Sequence, residues 1–367
     1  MPLGIFVTFA AIILSISIVQ LLSSSRNLVR TVTVKSVQQK SNIRGGEHND
    51  EEEAASYNSP LLNLWNSSEM NDSIAFVAHY QDQADALPEE SQWLLNAPKI
   101  DSNYRTIPKR IHKIYIQKTG NFPSMEEKQG MIGLEEAHKS WVSRNPGYSV
   151  DAYNLAGCRK YLAKNFHPIF LRAFDCISGF AGKADFFRIA VVYLEGGWYS
   201  DWKQVCLQDG LLESLGSNAN LYIVWDRGNV VSIRDRCLQN AFFGASPFHP
   251  VLATMLKMML NNVGNEVYGE SPLHTTGPCL LNQAYFQFLN EQNPNKTSVR
   301  EGIFSESESE SDLFNIYSSD NPSLALIQHK CRDCGTNQKW EMGNDYNVLW
   351  NDRTFYCPDA QSLFKNR

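Results

Sequence analysis

The chain has 367 residues, of which 43% are hydrophobic and 20% are charged, and its net charge at neutral pH is −6. This length allows one large domain with appendages or two modest domains, and the composition is that of an ordinary globular protein. No basic stripe accompanies the negative charge, which argues against nucleic acid as a partner. The even number of cysteines, eight, is consistent with disulfides formed in an oxidising compartment.

The first 25 residues predict a membrane anchor. Leu3–Leu22 is mostly apolar, and no charged side chain occurs from Pro2 to Ser25. As a helix this run would rise about 30 Å, the hydrocarbon thickness of a bilayer. A cleaved signal peptide is the alternative, but its apolar region usually covers about 7–15 residues behind a basic start, which this segment lacks. We therefore expect residues 1–25 to form a short tail and a transmembrane signal-anchor.

Residues 26–100 predict a stem, because they are rich in Ser, Asn, Gln and Glu and show no lasting apolar period. Acceptor triplets for N-glycosylation occur in this stem at Asn66 and Asn71, and a third occurs at Asn295. The basic residues after the apolar run favour a cytosolic C-terminal side under the positive-inside rule. The triplets and the cysteines favour the lumen instead, and we choose the lumenal orientation.

The compact domain is predicted to span residues 101–367 and to be α/β. Its first strand is "IPKRIHKIYIQ", in which Pro108 precedes the branched apolar residues Ile111, Ile114 and Ile116. A helix around "GLEEAHKSWVSRNP" follows and stops before its proline; "YSVDAYN" is a second short strand, and "CRKYLAKNF" lies in the next helix. This β-α-β-α order predicts a largely parallel sheet.

The segment "GFAGKADFFRIAVVYLEGGWYSDWKQVCL" carries the candidate site. Its first half has apolar residues at helical spacing, and Asp185 and Arg188, three residues apart, project from neighbouring positions on that helix. Gly196 and Gly197 allow the left-handed backbone that ends a helix. The aromatic-rich strand that follows brings Asp201 to its carboxyl end, where ligands of open α/β sheets bind. Asp201 is therefore a candidate for a metal or sugar-nucleotide site.

This segment resembles the core of the glycosyltransferases with a DXD sugar-binding region, family 32, which includes Golgi α-1,6-mannosyltransferases. The family pattern runs Lys-Ala-Asp, Arg, Tyr, Gly-Gly, Tyr and then Asp-x-Asp. The matching residues here are Lys183, Asp185, Arg188, Tyr193, Gly196, Gly197, Tyr199 and Asp201. Weaker similarities occur at "IPKRIHKIYIQ", "NAFFGASPFHP", "TTGPCLL" and "NDYNVLW". The central motif is specific, whereas each flanking one alone would be weak.

The resemblance implies a GT-A fold, a Rossmann-like nucleotide-sugar-binding domain. It implies a nucleotide-sugar donor, with GDP-mannose favoured, a glycan or glycoconjugate hydroxyl as acceptor, and retention of configuration. The donor-binding residues that it implies are Asp185, Arg188, Gly197, Tyr199 and Asp201. It also implies a single-pass type II protein of the Golgi membrane, held by its N-terminal helix, with the catalytic domain in the lumen.

Lys203 stands where the family has its second carboxylate. A departing nucleoside diphosphate gains negative charge as the glycosidic bond breaks, and magnesium or manganese on oxygen ligands usually stabilises that charge. A charged lysine cannot ligate a metal. Either Asp201 binds the metal with other oxygens, or Lys203 replaces it, since an ammonium pairs well with phosphate. Asp201 and Lys203 are thus the catalytic candidates, and a non-catalytic nucleotide-sugar or glycan-binding protein of the same fold is the alternative function.

Other side chains have both a functional and a packing interpretation. His274 and Thr276 are candidates for contact with the acceptor, and His274 could also meet the donor. Asp345 and Trp350 are candidates for a lid over the donor. Trp198 and Trp202 flank the site and could stack on a sugar or base, although large aromatic residues more often pack in a core.

Cys-x-x-Cys at Cys331 and Cys334 could bind zinc together with His329 and Cys357. In a lumenal protein disulfides are favoured, and we expect one to involve Cys331, Cys334 or Cys357.

Overall fold

The computed structural model describes residues 106–122, 128–129, 132–216, 219–226, 237–291, 301–308, 313–318, 321–331, 344–358 and 360. The predicted anchor, the predicted stem and the acceptor triplets at Asn66, Asn71 and Asn295 lie outside these residues. Within the described residues, no helix has the length and apolar character needed to cross a membrane.

Strands and helices alternate in the first half of the domain, as the sequence predicts, and strands dominate towards the end. The strands are β1 (Arg110–Ile114), β2 (Lys128–Gln129), β3 (Ile132–Gly133), β4 (Ser149–Tyr153), β5 (Gly197–Ser200), β6 (Val205–Cys206), β7 (Leu221–Trp225), β8 (Leu238–Ala245), β9 (Glu301–Glu308), β10 (Leu313–Ser318) and β11 (Asn321–Cys331). The α-helices are α1 (Leu134–Arg144), α2 (Leu155–Asn165), α3 (Pro168–Cys176), α4 (Phe180–Glu195), α5 (Leu211–Gly216), α6 (Pro250–Gly264), α7 (Pro278–Glu291) and α8 (Tyr346–Asn351). A 3₁₀ turn, Pro272–His274, precedes α7.

Nine of these strands form one mixed sheet, in the order β4-β1-β5-β8-β7-β9-β10-β11-β6. The β1–β4, β1–β5 and β7–β9 pairs are parallel, while β8 runs antiparallel to both β5 and β7. The prediction of an α/β domain is therefore confirmed. The sheet is mixed rather than largely parallel: parallel pairing occurs in the β4-β1-β5 part, where helices supply the crossovers that parallel neighbours need, and in the β7–β9 pair.

Two apolar clusters cover the two faces of the sheet. On β5, Trp198 belongs to the cluster that contains Trp141 of α1, whereas Tyr199 belongs to the cluster built from α4, α6 and α7. Successive side chains of a strand point to opposite faces, so this alternation decides on which side each site residue lies. The apolar face predicted on α4 is confirmed, since Phe186, Ile189 and Ala190 are fully buried.

The glycine pair between α4 and β5 has the predicted positive φ angles, +65° at Gly196 and +98° at Gly197. A Cβ atom on Gly196 would lie 2.6 Å from Cδ of Pro247, and one on Gly197 would lie 2.7 Å from the carbonyl oxygen of Arg110. Both conformation and space therefore require glycine here, and the pair brings the chain directly from the helix into the sheet.

Two disulfides are present among the described cysteines, Cys176–Cys357 and Cys237–Cys279. The first confirms that Cys357 is paired and joins the end of α3 to the C-terminal segment. The second joins the start of β8 to the first turn of α7. Cys158 and Cys206 are buried free thiols.

Candidate active site

Asp201 lies immediately after β5, at its carboxyl end, as the sequence predicts. Its backbone N–H donates to the carbonyl oxygen of Ala241 on β8 at 2.9 Å. Its own carbonyl oxygen accepts the N–H of Gln204 at 3.1 Å, which closes a turn over Trp202 and Lys203. Strand β5 thus ends in a tight turn that carries both Asp201 and Lys203.

The Asp201 carboxylate is held from the α4 side of the sheet. The Tyr199 hydroxyl donates to Oδ1 of Asp201 at 2.6 Å, and Nη1 of Arg188 lies 3.4 Å from the same oxygen. The Arg188 guanidinium also stacks over the Tyr199 ring, 4.5 Å from its centroid. About 29% of the Asp201 side chain remains exposed, so the carboxylate is oriented by protein groups and still open to a ligand.

Arg188 connects this carboxylate to a second one. Its Nη1 donates to the carbonyl oxygen of Asn240 at 2.7 Å, and its Nη2 lies 3.3 Å from Oδ1 of Asp185. Burial lowers the pKa of Arg188, but the Tyr199, Asp201 and Asp185 groups outweigh burial and raise the pKa overall. The guanidinium is therefore a fixed positive charge between two carboxylates.

Asp185 is the more enclosed of the two carboxylates. Its Oδ1 accepts from Nδ2 of Asn240 at 2.9 Å, and its Oδ2 accepts from the Thr276 hydroxyl at 3.3 Å. Burial raises the pKa of Asp185 to about 6, while Arg188 and these two hydrogen bonds act in the opposite direction. The structure thus brings Asp185, Arg188, Tyr199, Asp201 and Thr276 together, whereas Asn240 was not among the predicted site residues. The flanking segment "NAFFGASPFHP", which begins at Asn240, was the signal for it.

Gly197 lies beside this cluster in the chain, but a Cβ atom there would collide with Arg110 of β1, so packing alone accounts for the glycine. His274 lies within the 3₁₀ turn, where its Nδ1 is 2.9 Å from the Ser271 hydroxyl and burial lowers its pKa. The roles predicted for both residues in ligand binding stay predictions.

The two candidate lid residues are part of the C-terminal helix and its packing. Asp345 caps the N-terminus of α8, accepting from the N–H of Asn347 at 2.9 Å. Nε1 of Trp350 donates to the carbonyl oxygen of Tyr268 at 2.8 Å, and the Arg353 guanidinium lies 4.7 Å from the Trp350 ring centroid. These contacts fit the packing alternative for both residues, and the lid stays a prediction.

The two tryptophans also have packing partners. Trp198 is fully buried, and 7% of Trp202 is exposed. The rings around them are Phe242 and Tyr222 for Trp198, and Tyr115, Phe122 and His138 for Trp202. Since Phe122 and His138 both stack with the Trp202 ring, this ring is better explained by packing than by sugar stacking.

Three of the four oxygens of Asp185 and Asp201 are already engaged by protein groups, which disfavours a divalent ion held by these two carboxylates together. Oδ1 of Asp201 already accepts from Tyr199 and faces Arg188, and both oxygens of Asp185 accept from neighbours. Across the described ranges, no group of three or more His, Cys, Asp and Glu residues could hold a metal. Lys203 is half-buried in the turn and forms no hydrogen bond or ion pair with another described residue.

Lys113 is a further charged residue at the site that the sequence interpretation missed. It lies on β1, is fully buried, and donates from Nζ to the carbonyl oxygen of Asp201 at 3.2 Å. The signal was present in the strand pattern, because Lys113 is two residues after Ile111 and so lies on the same face.

Known proteins match parts of this chain. A family model described as the glycosyltransferase sugar-binding region containing the DXD motif matches residues 133–222. An uncharacterized glycosyltransferase of Acanthamoeba polyphaga mimivirus is 27% identical over 175 residues, which are 45% of this chain and 64% of that protein. Inositol phosphoceramide mannosyltransferase 2 of Schizosaccharomyces pombe is 29% identical over 157 residues, 42% of this chain and 39% of that protein. The chain thus covers less than two thirds of the length of each of these two relatives.

Among solved structures, the PaToxG glycosyltransferase is similar with a TM-score of 0.37 and 16% identity, over 61% of this chain and 79% of that one. The match over residues 133–222 contains every residue of the Asp185–Arg188–Tyr199–Asp201 cluster. Over this segment, the chain is similar to the glycosyltransferases with a sugar-binding region containing the DXD motif.

Proposed function

We propose that this chain is a glycosyltransferase that moves a hexose from a nucleotide sugar to a hydroxyl group of a glycan or glycoconjugate, on a GT-A fold. The observation that carries the proposal is the Asp201 carboxylate. It lies at the carboxyl end of β5, oriented by Tyr199 at 2.6 Å and Arg188 at 3.4 Å, within the matched family region. Preorganised polar groups of this kind are what a charged donor requires.

In this proposal Asp201 orients the donor and Lys203 supplies positive charge to the leaving diphosphate. The charge of the diphosphate grows as the glycosidic bond breaks, so a cation beside it stabilises the transition state more than the bound donor. Lys203 is the residue of the turn that has no partner among the described residues, and an ammonium pairs well with phosphate. Arg188 is already engaged by two carboxylates, and its part is to hold Asp201 in place.

For the donor we favour GDP-mannose with retention of configuration. Its support is the resemblance of the central motif and the name of the mannosyltransferase relative. For the location we propose the Golgi lumen, with an N-terminal membrane anchor. The apolar run Leu3–Leu22 supports the anchor, and the two disulfides fit an oxidising compartment.

The enzymatic proposal is tested with the full-length protein, purified in detergent and offered GDP-mannose and UDP-glucose. Asp201→Ala should lose donor binding and turnover together. Lys203→Ala should lower turnover by about 10²–10³ with a smaller effect on binding. Lys160→Ala is the matched control, because Lys160 is an exposed lysine on α2.

Lys203→Asp is the sharper variant, because it restores the paired carboxylates of the family. Any activity it retains should require manganese and be lost with chelator, whereas the parent should be only weakly sensitive. If the parent is inactivated by chelator, Lys203 is not the substitute cation. If the parent protein binds nucleoside diphosphate but turns over neither GDP-mannose nor UDP-glucose, the chain is better described as a non-catalytic nucleotide-sugar-binding protein.

The location is tested separately. Endoglycosidase should increase the gel mobility of the protein, and carbonate extraction should leave it in the membrane pellet. A protein that shows neither behaviour would contradict the lumenal anchor without affecting the enzymatic proposal.

A further inference from the structure

Lys113 occupies a position that the strand pattern assigns to an apolar residue. It shares a face of β1 with Ile111, and both side chains are fully buried on the side of the sheet that contains Trp141. Placing an ammonium there is costly unless the surrounding atoms compensate it. Burial lowers the pKa of Lys113 to about 7, and the charge of Asp201 acts against that decrease. A leucine would fill the same space without this cost, so the amine requires an explanation.

The contacts of the Lys113 amine all lead to the turn that carries the candidate catalytic residues. Nζ donates to the hydroxyl of Ser200 at 3.3 Å and to the carbonyl oxygen of Asp201 at 3.2 Å, and it lies 5.3 Å from the Trp141 ring centroid. Within the described part of the chain, Lys113 has no ion pair with a carboxylate. Its charge therefore rests on neutral oxygens at the end of β5 and on an aromatic ring.

The other end of the turn is held on the same side of the sheet. The Ser200 hydroxyl donates to Oε1 of Gln204 at 3.0 Å, and Nε1 of Trp141 donates to the Gln204 carbonyl oxygen at 2.7 Å. The Gln204 side chain also meets Nδ1 of His329 at 2.6 Å. Lys113 thus anchors the first residue of the turn, and this network anchors the last.

We infer that Lys113 is a positioning residue for donor binding, because its amine fixes the backbone of the Asp201–Gln204 turn from one face while Tyr199 and Arg188 hold the Asp201 carboxylate from the other. This inference rests on the proposed function of Asp201 and Lys203. It assigns no chemical step to Lys113, whose amine is buried behind the turn. Without the amine, the turn should shift, and the Asp201 carboxylate and Lys203 should both move away from the positions in which they bind the donor.

The test compares Lys113→Met and Lys113→Arg with Lys183→Met in the full-length protein. Lys183 is a matched control, since it is also a buried lysine and donates to the carbonyl oxygens of Phe174 at 2.7 Å and Asp175 at 3.0 Å, between α4 and α3. Calorimetry with GDP and with UDP measures affinity, and donor turnover is measured on the folded fraction. Lys113→Met should weaken the affinity for nucleoside diphosphate and the turnover of donor by about 10–100-fold. Lys113→Arg should recover part of both losses, and Lys183→Met should change the affinity little.

Amide hydrogen exchange gives a readout that does not depend on activity. The Gln204 N–H donates to the Asp201 carbonyl oxygen, so its exchange rate reports whether the turn is closed. Lys113→Met should increase that rate at least tenfold, and Lys183→Met should leave it unchanged. An unchanged rate, or a loss of affinity equal to that of Lys183→Met, would overturn the role of Lys113. If the parent binds neither nucleotide but the rate responds as expected, the proposed function has failed and the role of Lys113 in the turn stands.

Discussion

Asp185→Asn should make the protein more stable at neutral pH while lowering its activity. Only 16% of the Asp185 side chain is exposed, and its pKa rises from the ordinary 3.8 to about 6 because burial disfavours the charged form. A carboxyl group whose pKa is higher in the folded state than in the unfolded state stabilises the fold through its protonated form. This contribution is fully present below the pKa of the unfolded state. That stability is lost as the pH rises through about 6, so ionised Asp185 destabilises the fold at neutral pH.

The size of the effect follows from the two pKa values. The rise of the Asp185 pKa from 3.8 to about 6 lowers the free energy of unfolding by about 3 kcal/mol at pH 7.5 and by about 1 kcal/mol at pH 4.5, relative to a group that stays protonated. Asparagine has the same shape and no charge at either pH, and it can accept from Asn240 while donating to the Thr276 hydroxyl. The stability of Asp185→Asn relative to the parent should therefore rise by about 2 kcal/mol from pH 4.5 to pH 7.5.

Urea unfolding at the two pH values, with the disulfides intact, measures this difference. Asp209→Asn is the control, because its carboxylate is 85% exposed and its ion pair with Arg144 is screened by solvent. Turnover of Asp185→Asn should still fall by about tenfold or more, since Arg188 loses one of its charged partners. If the variant instead loses stability relative to the parent as the pH rises, the ion pair with Arg188 outweighs burial and the reasoning is refuted.

Three further changes test the supports of the site and of the fold. Tyr199→Phe removes the 2.6 Å hydrogen bond to Asp201 and should lower kcat/KM for the donor by about 10–100-fold. The midpoint of urea unfolding should change little, and an unchanged kcat/KM would contradict this role of Tyr199. Replacing Cys176 and Cys357 by serine opens a loop that spans a sequence separation of 181 and should cost about 5 kcal/mol of stability in urea unfolding, whereas an unaltered midpoint would count against the pairing. Gly197→Ala should lower the free energy of unfolding by about 2 kcal/mol more than Gly210→Ala, because both glycines have positive φ but only a Cβ atom at Gly197 would meet a backbone oxygen. Equal losses of stability would show that the contact with this oxygen does not matter.

The local features of the site were predictable from the sequence. The helix that carries Asp185 and Arg188, the glycine pair after it, and the position of Asp201 at the end of a strand all depend on neighbouring residues in the chain. Helical spacing, a Gly-Gly break and an aromatic-rich strand are patterns that a short segment encodes by itself. The same segment carries the family motif, so the candidate function could also be proposed before the fold was known.

The partners of these residues depended on the tertiary structure. Asn240 and Thr276 bond Asp185 from 55 and 91 positions away, and Lys113 reaches the Asp201 carbonyl across 88 positions. No local pattern encodes such contacts. The strand order places β1 and β8 on the two sides of β5 and so brings Lys113 and Asn240 to the site, while the segment between the 3₁₀ turn and α7 brings Thr276. The sequence by itself determined that Asp185, Arg188 and Asp201 carry charge at the site. Only the tertiary packing decided which other groups, Lys113 among them, hold those residues in place.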